Sequence, residues 1–141
     1  MRLNDLFEMS LIDLRGVELA IEQLFKDLRL DVIWTVHFKE RILNREQQVT
    51  PEELFFAFKK LKNKYGKRLQ QAKDNEERFV GILKDMAADL NIPFVVDFSR
   101  ENTQNHKYHL KGITIMRKRP ERFHANIAGG EELKVENYLK I

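Results

Sequence analysis

The sequence contains no cysteine, which excludes disulfide frameworks, thiolate zinc sites and cysteine nucleophiles. No apolar run approaches the roughly 20 residues of a membrane span, and Asp5 and Glu8 would interrupt a secretory leader. The expectation is an intracellular protein that makes no membrane contact. No glycine-rich phosphate loop, GxSxG elbow, HxxxH or HExxH spacing occurs, and there is neither an internal repeat nor a low-complexity tract.

What is present is the composition of a globular protein. At 141 residues, with 43% hydrophobic and 33% charged residues, the chain is expected to form one domain with its own buried core. Residues 1–30 would be an N-terminal helical extension and residues 31–141 an α+β core. The net charge is only +3, but seven basic and no acidic residues lie between Lys59 and Lys73. A second basic cluster is Arg117, Lys118, Arg119 and Arg122, whereas acidic residues gather near Glu52, from Asp74 to Glu77 and from Glu131 to Glu136. Local clusters rather than net charge set the field that a phosphate meets; lysine-rich helix faces also arise for solubility alone.

Leu3, Leu6 and Phe7 would share one side of a short opening helix. Leu14, Val17, Ile21, Leu24, Phe25 and Leu28 recur at intervals that predict one buried helix stripe, with Gly16 weakening it. Residues 32–36 are β-branched and aromatic and predict a strand. Residues 37–44 predict a short helix burying Phe38 and Ile42, with His37, Arg41 and Arg45 along one polar row and Glu40 and Asn44 beside it. Thr50 as N-cap, Pro51 at the first helical position and Glu53 completing a capping box predict a second helix. Its stripe would be Leu54, Phe55, Phe58, Leu61 and Tyr65, with Gly66 as its stop and residues 70–77 as a loop.

Strands are predicted at 78–83, 92–98 and 108–116, with Pro93 suiting a strand start or an edge. Residues 85–91 fit a helical turn, a bulge or continued strand equally well. Residues 99–107 predict a hairpin-like connection and 117–130 a charged excursion; residues 133–141 fit an edge strand or a terminal helix. Helices followed by consecutive strands predict an α+β fold, with the N-terminal helices packed on one face of an antiparallel sheet.

The groups able to do chemistry are His37, Arg41, Arg45, Lys59, the pair His106 and His109, Arg117 to Arg119, and His124. Metal-independent cleavage of RNA needs a base for the 2′-hydroxyl, an acid for the leaving oxygen and cations for the developing phosphorane charge. A histidine with arginines one and two helical turns away meets part of that need. His37 packing at a strand–helix junction, with Arg41 paired to Glu40 or Glu46, is the plainer alternative. Asp85, Asp89 and Asp97 are scattered, and no metal site is expected.

Residues 33–45, reading I-W-T-V-H-F-K-E-R-I-L-N-R, followed by V-T-P-E-E-L at 49–54, resemble the strand and H-x-x-[DE]-R-x-x-x-R helix of the RelE/RegB-like endoribonuclease superfamily. That resemblance implies a RelE/RegB-like α+β fold and RNA cleavage without cofactor, with His37 and Arg41 as catalytic groups. In the RegB branch a second histidine follows in the next helix. This chain offers Phe58 and Lys59 there, so Lys59, His109 or His124 would have to serve. Residues 84–94, containing D-x-N-x-P-F, and T-I-M-R-K-R at 114–119 also look like a set of small phage proteins, which suggests phage origin and implies no activity.

The expectation is therefore a phage-encoded RNA-binding protein, with metal-independent endoribonuclease activity through His37, Arg41 and Lys59. Arg45, Arg117, Lys118 and Arg119 would bind the substrate, and no cofactor is expected. The partner would be RNA first, DNA second. The alternative is a non-catalytic virion component or host-takeover factor that binds nucleic acid or a protein. The compartment would be the host cytoplasm, or the virion.

Overall fold

The computed structural model describes residues 10–44, 48–98, 108–118 and 130–135. Helix α1 spans Leu11–Leu24 and is opened by a reciprocal cap, the Ser10 hydroxyl accepting from the Asp13 amide and the Asp13 carboxylate from that of Ser10. Such a cap contributes about 1 kcal/mol. A short 3-10 turn at Lys26–Leu28 ends on Arg29 in the left-handed region (φ 55°) and leads into strand β1, Leu30–Trp34. Helix α2, Val36–Ile42, follows at once.

Helix α3 spans Pro51–Asp74 and has the predicted capping box of Thr50 and Glu53. It passes straight through Gly66, correcting the expected stop there, and takes in residues 70–74 of the expected loop at 70–77, leaving only 75–77 outside the helix. A glycine inside a helix costs only about 1 kcal/mol. The last two turns offset that by burying Leu69 and Ala72, which extend the stripe of Leu54, Phe58 and Leu61.

Five further strands follow: β2 (Phe79–Asp85), β3 (Leu90–Phe98), β4 (Tyr108–Gly112), β5 (Met116–Arg117) and β6 (Glu131–Val135). The undecided stretch after β2 is a hairpin connection, residues 86–89, closed by Asp89 at φ 52°. Asp85 Oδ1 accepts from the amides of Ala87 and Ala88 and pins the turn. The strands form one sheet in the order β1-β4-β3-β2-β6, with β5 pairing β3. Its pairings are mostly antiparallel, but β1 lies parallel to β4 and β6 parallel to β2.

The predicted strand over 108–116 is split, and Pro93 explains the split. Pro93 sits in the central strand β3, not at an edge or a strand start. It has no N–H to donate, and its carbonyl accepts from the Ile113 amide (2.9 Å) in the gap between β4 and β5. The ladder therefore breaks where proline cannot complete it.

The three α-helices of the described residues pack on one face of this sheet. Leu30, Val32 and Trp34, then Phe79 and Leu83, Leu90 to Val96 in alternation, Leu110, Leu133 and Val135 join one core cluster with Ile21, Phe25, Phe38 and Phe58. The opposite face carries Val80, Ile82 and Val95, also buried, together with the polar residues Lys84, Asn91 and His109. The mixed α+β class and the packing of helices on the sheet agree with expectation; the sheet itself is mixed.

Candidate functional site

The junction of β1 and α2 is held by Thr35. Its hydroxyl caps α2 by accepting from the Phe38 amide (3.0 Å) and donates to the carbonyl of Ile113 (2.6 Å). Trp34 stacks on Phe38 with ring centroids 4.5 Å apart, and Gly112 leaves room for them, because a Cβ there would lie 2.6 Å from the Trp34 ring. With Phe38 and Ile42 turned inward, His37 in the first turn is exposed and Arg41, one turn later, is half-buried.

Lys59 is half-buried on α3. Among the described residues, no hydrogen bond or ion pair engages the side chains of His37, Arg41 or Lys59, so none joins the three to one another. Arg45 and Arg119, and the histidines His106 and His124, lie outside the described residues.

Arg117 is tied into the fold. Its guanidinium donates to the carbonyls of Ala88 (2.6 Å) and Gln48 (3.1 Å) and to Glu53 Oε1 (2.6 Å), linking β5 and the hairpin turn to the start of α3. Asn91, fully buried, donates through Nδ2 to the carbonyls of Met116 (3.2 Å) and Lys118 (2.8 Å). The Lys118 amide returns a bond to the Asp89 carbonyl, while its side chain is exposed. The D-x-N-x-P-F and T-x-M-R-K segments, 25 positions apart between Asp89 and Thr114, are thus the two halves of one fastening. Asp89 makes the left-handed turn, Asn91 and Arg117 supply the side-chain bonds, and Pro93 sets the break.

His109 lies on the face opposite the helices, with Asp31 beside it on β1 and Asp97 on β3. Burial holds its imidazole below the ordinary histidine range; Lys111 adds to that effect, and the carboxylates of Asp31 and Asp97 oppose it. Its Nε2 has no hydrogen-bond partner. Among the described residues no group of three or more His, Cys, Asp or Glu side chains is arranged to hold a metal ion.

The basic run on α3 divides by partner. Lys60 is buried against Asp85 (2.7 Å), Lys62 reaches Asp27 (2.9 Å), and Arg68 reaches Glu131 (3.0 Å) while lying over the Phe79 ring. Lys62 donates to Asp27 and holds that carboxyl below the usual range. Lys64 donates to the carbonyl of Lys134 and Lys73 to that of Leu28, and neither contact neutralises the ammonium charge. A groove of about 510 Å³ beside Gly66 is lined by Leu28, Lys62, Asn63, Lys64, Lys67 and Gln70. Cations and amide donors around an open groove suit a phosphodiester. The sequence marks the charge run but not this groove, because the partners that subtract three of the seven charges are far away in the chain.

Comparison with protein families, with curated proteins and with solved structures finds no match to this chain. Among the described residues no helix is long and apolar enough to cross a membrane.

Proposed function

We propose that this protein binds RNA and contacts its phosphates through the outer face of α3. One observation carries the reading. Lys59, Lys64, Lys67 and Lys73 have no carboxylate partner among the described residues, and Lys64 and Lys67 flank the groove beside Gly66. Uncompensated ammonium groups along a 24-residue helix release counterions from a polyanion, which gives affinity without base readout. Fluorescence anisotropy with a short single-stranded RNA across a salt series tests this. A log–log slope of about −0.7 per phosphate contact is expected, reduced in Lys64→Glu/Lys67→Glu. Binding indifferent to salt overturns the reading, and DNA competing equally well removes the preference for RNA.

A second reading, metal-independent endonuclease, is favoured by the exposed imidazole of His37 one helical turn before Arg41, neither engaged by the fold. An unengaged imidazole is free to take a 2′-hydroxyl proton, and the guanidinium to meet the phosphate. Incubation of RNA in excess chelator with the wild type and with His37→Ala tests it. Equal cleavage by both, or cleavage by neither, removes the enzyme reading and leaves the binding one intact.

A further inference from the structure

The 3-10 turn at Lys26–Leu28 is fastened to α3 at two points, Lys62 to the carboxylate of Asp27 (2.9 Å) and Lys73 to the carbonyl of Leu28 (2.6 Å). The groove beside Gly66 lies along the same stretch of α3 and takes Leu28 into its lining. Its surfaces are not all charged. Gly66 contributes bare backbone, and the Lys62 stem lies beside it, since a Cβ at Gly66 would be 3.7 Å from Lys62 Cγ. Because Asp27 holds the Lys62 ammonium, that residue brings the groove methylenes without a free charge. Leu28 adds a third apolar surface. Two carboxamides complete the lining. Asn63 makes no hydrogen bond through its side chain among the described residues, and Gln70 commits Nε2 to Asp74 (2.7 Å), which leaves Oε1 as an acceptor. The two stand about 10 Å apart along the helix axis. Gly66 lies inside α3, where any residue but proline would make a firmer helix; a larger side chain there would fill the groove.

We propose that this groove holds one unpaired base of a single-stranded RNA. The ring lies against Gly66, Leu28 and the Lys62 methylenes, and its edge bonds to Asn63 and Gln70. The exposed ammonium groups of Lys64 and Lys67 take the phosphates on either side. The inference rests on the RNA-binding reading above and narrows it to single strands. A phosphate alone would leave the apolar surfaces and both carboxamides idle. A base within a duplex has its faces stacked and its pairing edge occupied, whereas an unpaired one offers both. Every base carries donors and acceptors along its edge, so the slot requires no particular sequence.

Anisotropy titrations of the full chain with oligoadenylate and with an abasic strand of equal phosphate number test the slot. Oligoadenylate is expected to bind the wild type about tenfold more tightly, toward the lower end of what one held base contributes, with the same salt slope for both strands. Gly66→Leu should bind the two strands alike, each as weakly as the wild type binds the abasic one. Its salt slope should be unchanged and its thermal midpoint unchanged or raised. Asn63→Ala should lower the ratio between the strands and leave the slope alone. Blunt duplex RNA should bind Gly66→Leu and the wild type equally. Equal affinity of the wild type for both strands overturns the base slot. So does a ratio that survives Gly66→Leu, or a loss in that variant that is as large for duplex as for single strand. With the salt slope intact, each of these results leaves the phosphate-binding reading standing. Absence of salt-dependent binding to every probe overturns that reading and the slot together.

Discussion

The ammonium of Lys60 lies 2.7 Å from the carboxylate of Asp85, and both side chains are buried where the middle of α3 crosses the end of β2. Asp85 Oδ2 faces the lysine while Oδ1 accepts the two turn amides. Removing either partner strands the other's charge in the core. Lys60→Ala should lower unfolding stability by about 3–5 kcal/mol, measured by urea denaturation. Replacing both residues by apolar ones of similar volume should cost much less.

Gly112 and Gly66 should respond in opposite directions to the same change. In Gly112→Ala the new Cβ meets the Trp34 ring at 2.6 Å, with Phe38 at 3.1 Å behind it, and overpacking of this kind costs about 1–3 kcal/mol. In Gly66→Ala it meets only Lys62 Cγ at 3.7 Å, and the gain in helix propensity should stabilise by up to ~1 kcal/mol. Thermal midpoints of the two variants check both signs.

Arg117→Ala should lower the thermal midpoint, since it removes charge-assisted bonds to Glu53, Gln48 and Ala88, with a loss of about 2 kcal/mol or more. Where the variant is still folded, its RNA affinity and salt slope should equal those of the wild type. A selective loss of affinity with unchanged stability would return Arg117 to the substrate-binding role expected from its basic cluster.

Stability should depend on pH through His109. Burial lowers its folded-state value, so the unfolded chain, titrating near the ordinary value of about 6.5, takes up protons first. The contribution of the neutral imidazole is complete above that value and is lost as pH falls from there toward the folded-state value. Urea midpoints measured between about pH 5 and 8 should decline on the acid side, and His109→Gln should flatten the decline.

Local chemistry was legible in the sequence and distant chemistry was not. Thr50, Pro51 and Glu53 fixed the start of α3 because a cap is built from neighbours in the chain. The end of α3 was misplaced because Gly66 reads locally as a stop, while the burial of Leu69 and Ala72 that overrides it is tertiary. Pro93 reads as an edge residue until β4 and β5 are seen to part in front of it. The candidate site follows the same rule. The lysine run on α3 is visible in one dimension, but which charges remain after Asp27, Asp85 and Glu131 take their share depends on the folded chain. That Arg117 bonds within the fold is likewise not legible in one dimension, because Ala88, Gln48 and Glu53 lie about 30 to 70 positions away.

Thr35 has one hydroxyl and two duties, holding the first turn of α2 and gripping the carbonyl of Ile113. The aim of His37, two residues on, is thereby geared to a backbone atom 78 positions downstream. Thr35→Val would loosen that gear while keeping the side chain's bulk. The imidazole would then lose its bearing, although nothing within its own helix had been altered.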